Sequence, residues 1–316
     1  MRIHLDTDFG GDPDDACALA MLLGWPDVEL TGITTTIDAD GLRAAYVKHV
    51  LRLAGRDEIP VAAGAAVSLT TGRRADPFRD ERYWPVALTP LRSSLDDALD
   101  AIARSIAVGA TIVAIGPQTN LALLEQRRPG LLRQTSVVVM GGWIAPPSAG
   151  FPAWGPEMDF NVQWDTRAAE MVAAAARLTL CPLTTAMRAT LRAADLPRLR
   201  AAGPLGALLA RQSETYGLDA GMPALGREHA GWPDDLMNVQ WDPVACAAAL
   251  GWDGVTIAEQ RLTPVREDGV LRFQPSEHGA PVRVAIDVDG PRFGECWLAA
   301  VANTQRVAQN RIRLKG

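Results

Sequence analysis

The chain of 316 residues is 48% hydrophobic and 22% charged, an ordinary globular composition that can bury one large α/β core or two smaller ones. Its net charge of −6 argues against a general nucleic-acid binder, which needs a basic face. Its four cysteines form no CxxC pair and therefore indicate neither a zinc knuckle nor a disulfide framework. Because no apolar run reaches about 18 residues and no secretion signal is recognised, we expect a cytoplasmic protein without a membrane partner.

Strand-like and helix-like segments alternate along the chain. The predicted strands are residues 2–7, 28–36, 60–64, 111–115, 136–140 and 178–181. The predicted helices are residues 14–24, 40–54, 94–108, 120–125, 166–176 and 244–250. This alternation predicts an α/β fold in one domain over residues 1–316, with a Rossmann-like, mostly parallel twisted sheet flanked by helices. Ligands of such sheets bind beyond the carboxyl ends of the strands.

The other segments are less regular. Residues 195–230 are predicted to be helical, and residues 255–305 are predicted to be late strands with a hairpin around Glu267-Asp268-Gly269. The Pro-rich segments 70–90 and 144–156 lack periodicity, and we expect them to form loops over the site.

The stretch that begins at Asp6, near the end of the first strand, carries five carboxylates within ten residues: Asp6, Asp8, Asp12, Asp14 and Asp15. Like charges this close repel one another unless a cation neutralises them. A turn with a helix N-cap would explain one or two of these residues but not five. We therefore predict a hard divalent cation held by several aspartates, with one aspartate left to accept a proton from water.

Three distant motifs could contribute to the same site. Asp242 precedes Pro243 and an apolar helix, so it is either a second metal-binding acid or an ordinary N-cap. Ile115 begins a tight turn after a buried strand, where its carbonyl could face a cation. Asp159-Phe160-Asn161 lies in a polar break before a helix and could instead be a capping turn.

Taken together, these motifs resemble the nucleoside hydrolase family, the calcium-dependent N-ribohydrolases related to inosine-uridine hydrolase. The resemblance runs in unchanged order from residue 3 to about residue 250. Its parts are the Asp-Thr-Asp opening with Asp14-Asp15-Ala16, Gly32-Ile33-Thr34-Thr35, residues 59–65, residues 116–122, Met140-Gly141-Gly142, Asp159-Phe160-Asn161 and Trp241-Asp242-Pro243.

The resemblance implies a nucleoside-hydrolase-like fold and a small-molecule, nucleoside-like substrate whose N-glycosidic bond is hydrolysed with Ca²⁺. It implies a homodimer or homotetramer. It also implies roles for single residues. The calcium ligands would be Asp8, Asp15, Asp242 and the Ile115 carbonyl. Asp14 would be the general base, while Asp159 and Asn161 would bind ribose hydroxyls and Met140 would contact the substrate.

Several positions depart from the family pattern. Five residues separate Asp8 from Asp14 where relatives usually have three, which makes Asp12 an alternative ligand or base. Trp241 stands where many members carry a His that protonates the leaving base. Trp241, Trp143 and Trp154 are therefore candidates for stacking on that base.

Two further residues could compensate for lost polar groups. Asp38 could replace an Asn that relatives carry at the position of Ala39. His229 could serve as a substitute acid, although an ordinary surface-loop histidine explains it better.

Two alternatives come from different functional classes. A non-catalytic calcium-dependent binder of nucleosides or sugars would explain the absent His. A phosphatase of the haloacid dehalogenase type would explain Asp6-Thr7-Asp8, but Phe9-Gly10-Gly11 follows where that family has Gly-Thr.

Overall fold

The computed structural model describes the backbone of residues 1–315 and the side chains of residues 1–306. Its strands are β1 (Arg2–Thr7), β2 (Glu29–Thr35), β3 (Val61–Ala63), β4 (Thr111–Ala114), β5 (Ser136–Met140), β6 (Arg177–Cys181), β7 (Thr190–Arg192), β8 (Leu236–Val239), β9 (Val255–Glu267), β10 (Val270–Pro275) and β11 (Ala280–Val288). Nine of them form one sheet in the order β10-β9-β11-β6-β5-β4-β1-β2-β3, while β7 and β8 pair separately.

The sheet is parallel from β3 to β11 and antiparallel beyond, where β9 and β10 extend it as a hairpin. The prediction of a mostly parallel sheet is therefore confirmed. The strand order reverses between β1 and β4. This reversal opens a crevice beyond the carboxyl ends of those strands, where ligands of doubly wound sheets bind.

Helices cover both faces of the sheet. They are α1 (Asp14–Gly24), α2 (Leu42–Leu53), α3 (Leu95–Ala107), α4 (Thr119–Arg127), α5 (Phe160–Trp164), α6 (Thr166–Ala175), α7 (Leu183–Ala186), α8 (Leu196–Ala201), α9 (Gly203–Asp219), α10 (Met222–Glu228), α11 (Trp241–Leu250) and α12 (Gly290–Lys315). One hydrophobic core contains side chains of α1, α11 and α12, and a second contains side chains of α3, α4 and α6. In the part of the chain that the structure describes, no helix is long and apolar enough to cross a membrane.

Successive side chains of the central strands point alternately into the two hydrophobic cores. On β4, Val113 belongs to the first core and Ile112 to the second, because successive side chains of a strand point to opposite faces. On β1, Ile3 and Leu5 enter the first core. Asp6, the next residue, lies on the opposite face and accepts hydrogen bonds from Thr34 Oγ1 at 2.5 Å and Asn120 Nδ2 at 2.8 Å.

The C-terminal part corrects one prediction. The hairpin at residues 267–269 is present, but the chain from Gly290 onward forms α12 rather than strands. Pro291 suits the first turn of a helix. Phe293, Trp297 and Val301 recur every four residues and are buried, which is a helical spacing. The helix packs against α1, where Trp297 Nε1 donates a hydrogen bond to the Cys17 carbonyl at 3.0 Å.

Two smaller differences separate the prediction from the structure. They concern residues 195–230 and the strands β7 and β8, which were not predicted. The predicted helical region is interrupted into α8, α9 and α10, and Gly221, with a φ of 65°, separates the last two. Strands β7 and β8 have only three and four residues, so their sequences carry too little alternation to reveal them.

His4 yields a test of the buried core. The side chain is buried on β1, with Nδ1 at 2.8 Å from Ser105 Oγ and Nε2 at 3.0 Å from Thr34 Oγ1. Burial, and secondarily the charge of Arg104, lowers the pKa of His4 from 6.5 to about 3. Between these two pKa values only the unfolded chain binds a proton at His4. This residue's contribution to stability is therefore full above pH 6.5 and is lost as the pH falls towards 3.

We expect His4→Gln to flatten the fall of the unfolding free energy below pH 6.5 by up to about 1.4 kcal/mol per pH unit. Urea unfolding at several pH values between 5 and 8 measures the slope. His278→Gln, at an exposed position, is the matched control. Equal slopes in wild type and His4→Gln would contradict the assignment of a neutral buried His4.

Candidate functional site: an acidic cavity at the edge of the sheet

The acidic segment leaves β1 at the carboxyl edge of the sheet and enters α1. Asp8 follows the strand, and Asp14 and Asp15 are buried in the first turn of the helix. Asp14 Oδ1 accepts a hydrogen bond from the Asp15 N–H at 3.1 Å, and the Thr7 hydroxyl donates to Asp15. Side-chain oxygens of Asp12, Asp14 and Asp15 lie within 4.8 Å of one another. β1 and α1 thus hold the carboxylates of this segment close together.

The loop between Asp8 and Asp14 is held from α2 and from the segment after β3. The Arg43 guanidinium donates to the carbonyl of Asp8, and to that of Phe9 at 3.1 Å. Trp84 Nε1 donates to the Gly10 carbonyl at 3.1 Å. Gly10 has a φ of 114°, and a Cβ built there would lie 2.6 Å from the Tyr46 ring. These contacts fix the main chain of the loop while leaving its carboxylates free.

Asp242 lies close to the N-terminal acidic segment, although it is far from that segment in the sequence. It lies in the first turn of α11 and is buried. Its pKa is raised by burial and by the nearby charges of Asp15, Asp12 and Asp8. The acid predicted from a distant motif therefore faces the N-terminal acidic segment.

The ends of β4 and β5 complete this part of the site. Asn161 Nδ2 donates to the carbonyls of Ile115 and Met140, both at 3.1 Å. Because a carbonyl oxygen has two lone pairs, the Ile115 oxygen can still face a cation. The Asn161 oxygen is not used in either hydrogen bond and is available to a ligand.

Asp159 lies beside these strand ends. Its carboxylate accepts a hydrogen bond from the Gly142 N–H at 2.6 Å and caps α5 through the Val162 N–H at 3.3 Å. A Cβ at Gly141 would lie 2.9 Å from the carboxylate, so the approach requires glycine. Burial raises the pKa of Asp159 to about 6.

One cavity of about 370 Å³ joins these residues. Its lining residues are Asp8, Gly11, Asp12, Asp14, Asp15, Arg43, Ile115, Met140, Trp154, Met158, Asp159, Phe160, Asn161, Leu183, Tyr216, Met222, Trp241 and Asp242. The volume lies within the range of small-molecule sites. We call the carboxylates at the strand termini the acidic end of the cavity and the packed pair of Trp154 and Trp241 its aromatic end. Phe160 and Tyr216 also line the cavity.

Burial of several carboxylates with only Arg43 as a counter-charge in the described lining makes it unfavourable for all of them to be ionised at once. Burial is the largest cause that raises the pKa of Asp8, to about 6, although Arg43 opposes it. Burial also raises the pKa values of Asp14 and Asp15 well above the usual range, and neighbouring carboxylates add to both shifts. A hard cation that accepts oxygen ligands would restore the ionised forms. The donor set therefore fits a divalent cation.

The aromatic end is formed by elements that are far apart in the sequence. The rings of Trp154 and Trp241 lie 6.1 Å apart at 46°. Tyr216 enters the cavity from α9. Burial, together with the charges of Asp12 and Asp14, raises its pKa well above the usual value, so the phenol keeps its proton.

Three predicted substrate contacts lie outside this cavity. Asp38 accepts hydrogen bonds from the N–H groups of Gly41 at 3.0 Å and Ala44 at 2.9 Å, so it caps the start of α2. The Trp143 carbonyl accepts from Phe273 N–H of β10 at 2.9 Å, which places this residue against the hairpin. His229 ends α10, and its ring packs edge-on at 6.0 Å against Trp232, which in turn packs against Trp154 at 5.6 Å.

Sequence reasoning missed several lining residues, and Arg43 and Tyr216 carry the most chemistry. Each stands alone in a helix without a neighbouring motif. The position of Arg43 in the first turn of α2 was the available signal, but its target is the main chain of another segment. Tyr216 had no comparable signal, because α9 packs over the site only in the folded protein.

Comparisons with known proteins agree with this geometry. A family model described as inosine-uridine preferring nucleoside hydrolase matches residues 3–295. The pyrimidine-specific ribonucleoside hydrolase RihA of Enterobacter sp. (strain 638) is 32% identical over 219 residues, which cover 64% of this chain and 66% of that protein. RihA of Citrobacter koseri is 32% identical over 216 residues, which cover 64% of this chain and 68% of that protein. The chain thus spans about two thirds of the length of these curated relatives.

Solved structures share the fold. A purine-preferring ribonucleoside hydrolase from Gardnerella vaginalis superposes with a TM-score of 0.78 at 22% identity, covering 97% of this chain and all of the other. An inosine-uridine preferring nucleoside hydrolase from Bacillus anthracis superposes with a TM-score of 0.68 at 18% identity, covering 96% and 99%.

Two glycines in the loop between Asp8 and Asp14 allow a test of how tightly that loop is held. Gly10→Ala places a Cβ against Tyr46 at a φ of 114°, whereas a Cβ at Gly11 meets nothing within 4 Å. We expect Gly10→Ala to lower the free energy of unfolding by about 1–3 kcal/mol and Gly11→Ala to change it by less than about 1 kcal/mol. Urea unfolding followed by tryptophan fluorescence measures both. Equal effects of the two substitutions would show that Tyr46 and Trp84 do not restrain the loop.

Proposed function

Because the chain belongs to the inosine-uridine preferring nucleoside hydrolase family, whose members are hydrolases acting on N-glycosyl compounds, we propose that it hydrolyses the N-glycosidic bond of a ribonucleoside or ribosylated small molecule with bound Ca²⁺. The observation that carries this proposal is the convergence of the acidic segment and Asp242 on one cavity. Two segments more than 200 residues apart would not otherwise bury like charges together.

The cation would be held by Asp8, Asp15, Asp242 and the Ile115 carbonyl. Four protein oxygens leave room for further oxygen ligands around Ca²⁺, which takes six to eight, and two ribose hydroxyls could supply some of them. When bound, such a cation lowers the pKa of water and offsets the charge of the carboxylates. Asp12 lines the same cavity, and a side-chain oxygen of it lies within 4.8 Å of those of Asp14 and Asp15, so it is the alternative ligand or base.

Asp14 is the proposed general base. It is buried in the first turn of α1, lines the cavity and is fixed by its hydrogen bond with the Asp15 N–H. A carboxylate held in this way can accept the proton of the attacking water. Its position between Asp12 and Asp15 favours proton uptake, because the neighbouring negative charges stabilise the protonated acid.

The ribose would lie between Asp159, Asn161 and the metal-binding acids. Asn161 has a side-chain oxygen available, and Asp159 is oriented by two main-chain N–H groups. Cleavage of a ribosyl C–N bond passes through an oxocarbenium-like transition state. The surrounding carboxylates stabilise the positive charge that develops on the sugar.

The leaving base would occupy the aromatic end of the cavity. Trp154 and Trp241 offer apolar ring faces for stacking, and Met140 lines the same cavity. The printed names of the relatives differ in base preference, since RihA is pyrimidine-specific and the Gardnerella enzyme is purine-preferring. A panel of pyrimidine and purine ribonucleosides is therefore the appropriate assay.

Substitution of each aspartate in turn tests whether Asp14 or Asp12 is the general base. We expect Asp14→Ala to lower kcat by roughly 10²- to 10⁴-fold while Ca²⁺ still binds, because the proposed ligands remain. Asp12→Ala serves as the comparison and should lose less turnover. Steady-state kinetics and calorimetric Ca²⁺ titration give the two readouts. Unchanged turnover in Asp14→Ala would mean that another residue is the base.

Metal removal tests the proposed cofactor. We expect a chelator to abolish turnover and Ca²⁺ to restore it, and Asp242→Asn to weaken Ca²⁺ binding at least ten-fold, because one charged ligand is lost. Full activity in the chelated protein would contradict the proposal. Calcium-dependent nucleoside binding without any turnover would instead support the alternative of a non-catalytic binder. Family membership already favours the hydrolase over the phosphatase alternative.

We extend the proposal to a homodimer or homotetramer, as the resemblance implies. Light scattering of the purified protein should give a molar mass of two or four chains. The mass of one chain would contradict this part of the proposal.

A further inference from the structure

The two ends of the cavity differ in charge. The carboxylates that line it are Asp8, Asp12, Asp14, Asp15, Asp159 and Asp242. Arg43 is the one cationic side chain among the described residues of the lining. Its guanidinium donates to the main-chain carbonyls of Asp8, Phe9 and Ile37. A bound divalent cation would offset two further charges, so the ionised cavity stays negative and favours a cationic ligand.

The aromatic end has ring faces suited to a cation. Trp154 and Trp241 lie 6.1 Å apart and tilted at 46°, with Phe160 and Tyr216 in the same lining. Aromatic faces attract organic cations through their quadrupoles, most strongly for Trp. Three methionines, Met140, Met158 and Met222, also border the cavity and provide polarisable, uncharged contacts.

The same end lacks an evident proton donor for a leaving group. No His or Lys is found among the described residues that line the cavity. His229 is separated from it by Trp232 and Trp154. Tyr216 lines the cavity, but a phenol is a far weaker acid than the imidazolium of a histidine. A base that departs as an anion would receive little assistance.

We infer that the preferred substrate class is an N-ribosylated aromatic cation, such as a ribosylpyridinium, whose positively charged ring lies against Trp154 and Trp241. This inference rests on the proposed function and specifies its substrate. When the C1′–N bond breaks, its electron pair moves to the ring nitrogen and cancels the positive charge, so the heteroarene leaves neutral and needs no proton. The water oxygen bonds to C1′, and its proton passes to Asp14 and then to solvent. One proton is released for each turnover.

The first experiment compares ribosides in the Ca²⁺-loaded full chain. The probes are the β-riboside of 3-carbamoylpyridinium, uridine and inosine. We expect kcat/KM to be at least ten-fold higher for the pyridinium riboside, with one proton released per turnover in weakly buffered solution. Hydrolysis of uridine or inosine with equal or higher kcat/KM would overturn the inference while leaving the proposed function intact. Failure to hydrolyse any of the three would overturn both.

The second experiment measures binding alone, so that differences in the intrinsic reactivity of the C1′–N bonds cannot affect the result. Competitive inhibition is measured with 1-methyl-3-carbamoylpyridinium and with its neutral isostere 3-methylbenzamide. We expect the cation to bind about two- to thirty-fold more tightly, and Trp154→Leu to remove that difference. Trp252→Leu is the matched control, since Trp252 packs against Phe293 at 5.6 Å outside the cavity. Equal inhibition by the two compounds in wild type would overturn the inference.

Discussion

Repulsion among buried carboxylates is the constraint on which the site depends. The sheet brings Asp8, Asp14, Asp15 and Asp242 to one edge, where burial raises the pKa of each. Such an arrangement is unstable by itself and becomes favourable when a cation and a polar ligand share the cavity. Like charges therefore destabilise this edge of the fold, and the proposed cation would offset that repulsion.

The surrounding structure holds this edge through main-chain contacts. Arg43 and Trp84 bind carbonyl groups of the acidic loop, and Gly10 allows Tyr46 to pack against it. Because these contacts do not use the carboxylates, the loop can be rigid and still present all its acids to the cavity.

In the proposed function, the sugar and the leaving group bind in different parts of the cavity. The acidic end is built at the reversal of strand order between β1 and β4, which the parallel sheet fixes. The aromatic end is built by the loop before α5 and by the start of α11, which are attached to the sheet rather than part of it.

The sequence by itself determined the alternation of strands and helices, the parallel sheet and the identity of the clustered acids. Those features depend on residues close together in the chain, such as the apolar run of α1 directly after Asp15. The sequence did not show that residues from 290 to 305 belong to a helix, although Phe293, Trp297 and Val301 had the spacing. Only the tertiary structure decided that Asp38 caps α2, that His229 lies behind Trp232, and that Arg43 and Tyr216 line the cavity. These positions depend on how separate helices and loops pack on the sheet, and that packing is set by contacts between residues far apart in the sequence.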